Sequence, residues 1–526
     1  LTRAAHTAER RCSSVIGGKA TGDDSAGHLR SYNPAHLAET VADVSLGDAA
    51  TLVEAARTAK AAHSTWSDVP APLRGRVIEE IGRIVEANKE HLARLVTREV
   101  GKPLIEARGE VQEIVDTCDF FLGEGRRLYG ETVPSEMRDK ALFTYRMPVG
   151  TVAVITAGNF PVAVPSWYLV PALLCGDTVV WKPAEYSAAA ATALFDCFVA
   201  GGLPDGVLNL VLAEGAPTFA GLGRALEERL VDKVGFTGSS AVGSAIGELC
   251  GRHLQSPCLE LGGKNPMVIM SDADLDLAVE GALFSGFGTA GQRCTSLGTA
   301  IVHDSVHDEF LDRLLQRLED SPIGEPFEEV LYGPMLEERF ATRFEEYLDR
   351  LVEPHHELLG GASKGRISSQ QPRKGFLGDP DEGIFCHPAV VDRVRIDDEI
   401  AQTETFGPMI GVATFTEFDE ALALANSSGY GLTSAIYTSS ATTAFRFRSR
   451  SSAGMVSINN STSGAEAHLP FGGNGKSGNG SRQSGKWVLD QMTRWQAVNW
   501  DYSGHLQRAQ MDTDKIVANR EFQVLP

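Results

Sequence analysis

Two residues, Glu260 and Cys294, have types and surroundings suited to one piece of chemistry. Glu260 stands in Leu259-Glu-Leu-Gly-Gly-Lys-Asn-Pro266, a carboxylate between leucines followed by a glycine-rich bend. Cys294 stands in Gly288-Thr-Ala-Gly-Gln-Arg-Cys-Thr295, a single thiol among small and polar neighbours. A thiol attacks as its thiolate, so it needs positive potential or a base beside it. An apolar setting lifts a carboxylate's pKa toward the range useful to a general base. Together the two describe a nucleophile and a base. Taken alone, Glu260 reads equally well as a turn-capping residue, and Arg293 as a neighbour that favours the thiolate.

Such a pair has to be held between regular elements. Apolar, β-branched runs at 151–156, 178–181, 207–211 and 233–236 read as strands, separated by helical patterns near 162–175, 187–200, 217–228 and 240–252. This alternation predicts a parallel sheet covered on both faces, with ligands bound beyond the carboxyl ends of its strands. Polar groups fall just there: Asn159 and Phe160 after the first strand, Lys182 and Glu185 after the second, Gly238 and Ser239 after the fourth. The last turn opens a helix and presents backbone N–H groups to a phosphate, without matching the Gly-x-Gly-x-x-Gly pattern.

Residues 271–455 read as a second α/β unit, with strands at 299–302, 409–412 and 435–437 and helices near 306–319, 336–352, 417–427 and 441–450. Within it, 360–383 is rich in Gly, Ser, Gln, Arg and Pro and reads as a surface loop. Upstream, the apolar spacing predicts one helix from Pro70 to Pro103 and another from 105 to 128 that carries Glu113. Residues 1–30 read as a mobile arm. The stretch Pro470-Phe-Gly-Gly-Asn-Gly-Lys-Ser477 has proline where a P-loop requires glycine, so it reads as a glycine-rich turn.

Bulk properties bound the partners. At 526 residues the chain exceeds one core and predicts several domains. Its net charge of −21 argues against nucleic acid and anionic membrane surfaces, leaving a small-molecule substrate. The eight cysteines form no Cys-x-x-Cys pair and no zinc-ligand spacing, so no metal site is expected and a reducing compartment is. Pro161–Cys175 is too short to span a bilayer, and Leu1–Ser14 lacks the apolar core of a secretory signal. A cytoplasmic location is the expectation.

The motifs Phe236-Thr-Gly-Ser239, Leu259–Pro266, Gly291-Gln-Arg-Cys294 and Glu404-Thr-Phe-Gly-Pro408 together resemble the aldehyde dehydrogenase superfamily, in its order and spacing from about residue 30 to 500. The resemblance implies an α/β fold of two open parallel-sheet domains, a Rossmann-like cofactor domain and a catalytic domain, with a small β oligomerisation element. It implies boundaries at 1–136 and 150–262 for the NAD-binding domain, 263–476 for the catalytic domain, and 137–149 with 477–526 for the oligomerisation arm and tail. It assigns nucleophilic attack on the aldehyde to Cys294, water activation to Glu260 and oxyanion binding to Asn159. Lys182, Glu185, Gly238, Ser239, Glu404 and Phe406 match cofactor-binding positions. A carboxylate at 185 favours NAD, while Lys182 keeps NADP open. A homodimer or homotetramer is implied, through strands near 137–150 and 487–500.

Gly109–Asp119, Gly288–Thr295 and Thr462–Glu466 are further similar to the α-aminoadipic semialdehyde (antiquitin-like) branch, where the positions of Arg293, Glu113, Ser463 and Gly464 grip the amino-acid end of the substrate, and Phe160 lines the same site. The implied reaction is NAD-dependent oxidation of a semialdehyde such as α-aminoadipic semialdehyde, in equilibrium with piperideine-6-carboxylate. A broad aldehyde dehydrogenase and a coenzyme A-acylating enzyme are the alternatives, and Glu260 argues against the latter. Lys182-Pro-Ala-Glu185, Lys264 and Gly473-Asn-Gly-Lys476 depart from that branch. Glu113 also reads as a solvated helix position, and Arg293 as a residue that orients the catalytic turn.

Overall fold

The computed structural model describes residues 9–361, 365–513 and 516–525. Five parallel strands make up most of a seven-stranded sheet, in the spatial order, from one edge, Cys258–Glu260, Lys233–Thr237, Thr151–Ile155, Thr178–Lys182, Leu208–Leu210. Chain order therefore reverses between Lys233–Thr237 and Thr151–Ile155, the switch point where sheets of this kind open a crevice for ligands. Four of these strands fall within a residue or two of the predicted ones, because buried parallel strands advertise themselves as β-branched runs, whereas Cys258–Glu260 was not predicted.

Helices α1 (Ala49–Ser67), α2 (Ala71–Ala87), α3 (Lys89–Val100) and α4 (Leu104–Arg127) lead into this sheet. The single helix predicted over 70–103 is two, broken at Asn88 (φ −105°, ψ 9°). Ile78, Ile81 and Val85 before the break and Leu92 and Val96 after it are all buried, so the apolar stripe runs on across the bend. Gly101, at φ 76°, ends α3 in the left-handed conformation glycine accommodates. Between the strands lie α5 (Ala163–Cys175), α6 (Ala188–Ala200), α7 (Gly215–Glu227) and α8 (Ser240–Arg252). Every residue of α5 is buried, which explains an apolar run without amphipathic period. No helix among the described residues is long and apolar enough to cross a membrane.

A second seven-stranded sheet runs Glu357–Leu359, Ala389–Asp392, Met409–Phe415, Leu297–His303, Asn265–Ile269, Thr433–Tyr437, Met455–Ile458, parallel except at its first strand. Helix α9 (Leu275–Phe287) connects its two central strands. The chain passes from the first sheet to the second within Leu261–Lys264, between Glu260 and Asn265.

Two further expectations need correction, and a third is met. Of the predicted mobile arm, Leu1–Ala8 lie outside the described residues, but the remainder is bound: Arg10–Cys12 pairs with His36–Ser45, and Val15–Ile16 pairs with Leu210 at the edge of the first sheet. The 360–383 loop is not simply surface, since Ile367 is buried and Phe376–Leu377 pairs with Ile323–Gly324, while Arg373 donates to the Leu318 carbonyl at 2.6 Å. The strands expected near 137–150 and 487–500 are Lys140–Pro148 and Thr493–Asp501, antiparallel partners along their full length, with Thr132–Val133 added at the side.

Candidate active site

Glu260 ends the edge strand of the first sheet, and its place is fixed from both sides. Its carbonyl accepts from Gly238 N–H at 3.1 Å, and the following Leu261 N–H donates to Ser477 O at 3.0 Å. The glycine-rich stretch at 470–478 thus works as a brace for this strand, with Gly478 bridging to Glu260. The bend that follows is glycine for contact reasons. A Cβ on Gly262 would collide with the Glu404 carboxylate, and one on Gly263 with the Cys294 carbonyl. Asn265 then holds the nucleophile's segment, its Nδ2 donating to the carbonyls of Cys294 and Ser296, both at 2.8 Å.

Cys294 reaches the same place from α9. After Gly288 the backbone turns left-handed at Thr289 (φ 52°), Ala290 (φ 54°) and Gly291 (φ 71°). For Thr289 and Ala290 this costs about 1–2 kcal/mol each, so the surroundings must hold it. Gln292 closes the turn. Its side-chain amide donates to Thr289 O at 3.1 Å and accepts from Leu336 N–H at 3.0 Å. Its carbonyl accepts from Asn159 Nδ2 at 2.8 Å, which fixes the Asn159 amide and uses one of its two N–H donors.

Glu260 is fully buried, and neither carboxylate oxygen meets hydrogen-bond geometry with a protein donor. Burial pushes it up to about 8, against the opposing pull of the Cys294 thiol. The thiol in turn is driven well above the usual thiol range by burial and by Glu260. Cys294 keeps some residue surface open, yet its sulfur is desolvated, whereas the seven other cysteines are buried. The arrangement is a neutral thiol facing a carboxyl that gives up its proton only slightly above neutral pH. The charges that act most on the thiol are those of Glu260 and Glu404.

Arg293 points elsewhere. Its guanidinium pairs with Glu106, its Nε donates to Thr289 Oγ1 at 3.3 Å, and its Cζ lies 4.6 Å from the Phe284 ring centroid. Glu113 instead accepts from Trp167 Nε1 at 3.0 Å and is pushed up to about 8, first by burial and then by Glu110. It lines an open cavity of about 370 Å³ with Asp116, Asp119, Glu466 and His468. Ser463, two residues from that wall, bonds Thr295 through its hydroxyl at 3.1 Å, and Gly464 (φ 138°) borders open space. Phe160 lies beneath Lys102, whose Nζ is 3.3 Å from the ring centroid.

Sequence reasoning missed Lys102, Glu106 and Glu110. Lys102 and Glu110 form a fully buried ion pair at 2.5 Å, and Glu110 also caps α5 by accepting from Val162 and Ala163 N–H at 3.0 and 3.1 Å. Glu106, Glu110 and Glu113 recur at spacings of four and three, one face of α4, and that was the available signal.

The cofactor candidates fall into two groups. Lys182, Glu185 and Gly238 line a mostly apolar cavity of about 210 Å³ at the switch point, with Ile155, Phe236 and Val242. Lys182 and Glu185 pair at 3.1 Å, so the cation is neutralised by its neighbour. Ser239 caps α8, its Oγ accepting from Val242 N–H at 3.4 Å. Glu404 accepts from Gly263 N–H at 3.0 Å, is half-buried, and is pushed up to about 7 by desolvation. Phe406, left-handed at φ 44°, joins Phe340 at 5.9 Å between centroids. A cleft with apolar walls, a ribose-sized acceptor at Glu185 and a helix N-terminus fits a dinucleotide.

Two other features lie apart. A larger cavity of about 740 Å³ is lined by Asp304, His307, Asp392 and Arg393 and includes neither Glu260 nor Cys294. His355, His356 and Asp398 gather closely, but His356 Nδ1 accepts from Glu353 N–H at 2.9 Å. That leaves the proton on Nε2, donated to Asp398 at 2.8 Å, a hydrogen bond rather than a metal-ligand geometry.

The sequence profile described as "Aldehyde dehydrogenase family" matches residues 21–498. The alpha-ketoglutaric semialdehyde dehydrogenase of Bacillus subtilis is 34% identical over 92% of this chain and 96% of its own. The alpha-aminoadipic semialdehyde dehydrogenase of Bos taurus is 35% identical over 92% of this chain and 87% of its own. The crystal structure of betaine aldehyde dehydrogenase from Staphylococcus aureus in complex with NAD+ superposes with a TM-score of 0.88 at 29% identity, covering 95% of this chain and 97% of that one.

Proposed function

The chain belongs to the aldehyde dehydrogenase family, and from that premise we propose that it oxidises an amino-bearing semialdehyde to its acid, with NAD as oxidant and Cys294 as nucleophile. The observation that carries the mechanism is the meeting of Cys294 with a buried Glu260 whose oxygens lack donors, beside the tethered Asn159 amide. Cys294 Sγ adds to the aldehyde carbon, its proton passing to Glu260 or to water. The second N–H of Asn159 meets the oxyanion. A nicotinamide bound in the cleft would accept hydride from the substrate carbon, leaving an acyl thioester on Cys294. Glu260 then takes a proton from the water that attacks the thioester, and the acid departs as the thiol re-forms.

Residues 1–136 with 150–262 serve as the cofactor domain and 263–476 as the catalytic domain in this reading. The exposed Trp495 and Trp500 on the strand Thr493–Asp501 suit an interface between copies of the chain. Lys182 and Glu185 support NAD over NADP. Glu185→Gln releases Lys182 from its partner, with Arg339 also 3.8 Å away. The ratio of kcat/KM for NADP to that for NAD then rises roughly 10-fold, about one favourable charge contact. Initial rates with each dinucleotide measure it.

The acidic cavity supports the ammonium on the substrate. Glu113, Asp116, Asp119 and Glu466 leave it with an excess of carboxyl groups over the single His468. Such a mouth favours a cation and repels an anion. Kinetics with a semialdehyde carrying an α-amino acid end, a neutral aliphatic aldehyde and an anionic α-keto acid semialdehyde test this. The amino-bearing substrate is expected to show the highest kcat/KM, and Glu113→Gln to raise its KM on the order of 10-fold while sparing the neutral aldehyde. The highest kcat/KM with the α-keto acid semialdehyde would move the assignment toward the activity named for the Bacillus relative. Coenzyme A is expected to leave the rate unchanged, since Glu260 supplies the hydrolytic route.

A further inference from the structure

We propose that Glu106 is a positioning residue for the reaction: its carboxylate on α4 holds the left-handed turn Gly288–Gly291, and with it the placement of Cys294 and Asn159. Arg293 is then the counter-ion of this clamp and not a receptor for a substrate carboxylate. The inference rests on Cys294 being the nucleophile.

Three donors converge on Glu106. Thr289 N–H reaches Oε1 at 3.2 Å, while Thr289 Oγ1 and Arg293 Nη2 both reach Oε2. Two come from the turn that must stay left-handed, and the third from Arg293, two residues beyond it. Unrestrained, Thr289 and Ala290 relax to right-handed or extended backbone, and everything attached moves with them. Gln292 follows immediately, and its carbonyl is the acceptor that orients the Asn159 amide. Cys294 comes two residues later. One carboxylate therefore restrains both the attacking atom and the oxyanion donor, although it touches neither.

The guanidinium is fixed by the chain around it, with two of its five N–H donors engaged there. Arg293 is buried, with Nη2 on Glu106, Nε on Thr289 and its plane against Phe284. A Cβ at Gly288 would meet Nη2 at 2.7 Å, so the glycine preceding the turn gives the guanidinium its room. The clamp also spans the two sheets. The buried face of α4, including Val111 and Ile114, belongs to the core around the first sheet, whereas Phe287 and Ala290 belong to that of the second. Loss of Glu106 thus loosens the turn without emptying either core.

The test compares Glu106→Ala, Glu106→Gln, Arg293→Ala and the Glu106→Ala/Arg293→Ala double variant with the parent, each first shown to bind NAD with parental affinity. Glu106→Ala is expected to lower kcat about 10²-fold, the cost of a misplaced reacting group, equally for an aldehyde with and without a carboxylate and with KM unchanged. Glu106→Gln, which keeps an acceptor for Thr289, should recover part of that loss. The double variant should be no worse than Glu106→Ala, because the two residues act as one unit. Alkylation of Cys294 by iodoacetamide, followed by mass spectrometry, should change rate in the same order as kcat. A parental kcat in Glu106→Ala overturns the proposal. So does a KM that changes only for the carboxylate-bearing aldehyde in Arg293→Ala or Glu106→Ala. Should Glu106→Ala fail to bind NAD, Glu106→Gln decides by the same criteria. Failure of the nucleophile assignment shows separately, as turnover that survives Cys294→Ala in the parent.

Discussion

Replacing Cys294 by alanine lowers NADH formation by at least about 10⁴-fold on every aldehyde the parent oxidises, while the dinucleotide still binds. The size follows from the absence of a substitute. The seven other cysteines are buried, and Cys118, Cys175 and Cys258 are raised in pKa by that burial, so none can be recruited. Oxygen nucleophiles fare no better, since Thr295 and Ser463 are already bonded to one another. Without a thiohemiacetal the aldehyde hydrogen stays on a planar carbonyl carbon and is a poor hydride donor. Steady-state absorbance of NADH measures the loss, and a calorimetric titration with NAD confirms that the cleft survives. Turnover within tenfold of the parent (roughly 1.4 kcal/mol of barrier) would remove Cys294 from the mechanism.

Glu260→Gln separates the two halves of the reaction. Acylation survives in part, so rapid mixing should yield a burst of NADH near one per site, followed by a steady rate lower by about 10²–10⁴-fold. The parent's pH dependence follows from the same group. Burial disfavours the carboxylate, so its pKa is raised to about 8, and below that value the site holds a proton it cannot use to activate water. The hydrolysis-limited kcat of the parent therefore rises with pH through about 8, and glutamine at 260 flattens that limb. Glu113 is pushed up to about 8 as well, but it lines the acidic cavity, whose walls include neither Cys294 nor Glu260. Glu113→Gln should leave the kcat limb in place and alter only KM. Retention of the limb in Glu260→Gln would assign it to another group.

Much of this was legible in the sequence because the signals were local. Strands of the first sheet are buried β-branched runs, and the residues that follow them, Asn159, Glu185 and Gly238, lie where an open parallel sheet binds ligands. Glu260 and Cys294 stood out through their small and glycine-rich neighbours, and those glycines prove to be close-approach positions against Glu404 and the Cys294 carbonyl. What stayed hidden depends on distant partners. The break at Asn88 does not interrupt the apolar stripe. Arg10–Cys12 and Val15–Ile16 are too short to show a period, and each earns its conformation from a strand far along the chain. The partner of Arg293 was invisible for the same reason: its neighbours in sequence say nothing of Glu106, a carboxylate arriving on another helix.

The short hairpin near the start of the chain has a consequence for keeping the protein in solution. Leu208–Leu210 would otherwise end the first sheet with open N–H and C=O groups, a template for another chain to add itself. Val15–Ile16 covers it, turns at Gly17 (φ 58°) and Gly18 (φ 76°), and presents Lys19–Ala20 as the final rung. Two successive positive-φ glycines suit the tight turn that follows a strand's own twist, and an exposed lysine on the outermost rung discourages stacking. Fewer than a dozen residues, remote from any chemistry, thus close this sheet edge against the addition of a foreign strand. Shortened forms that begin beyond them carry a sticky border where the intact chain has a charged one.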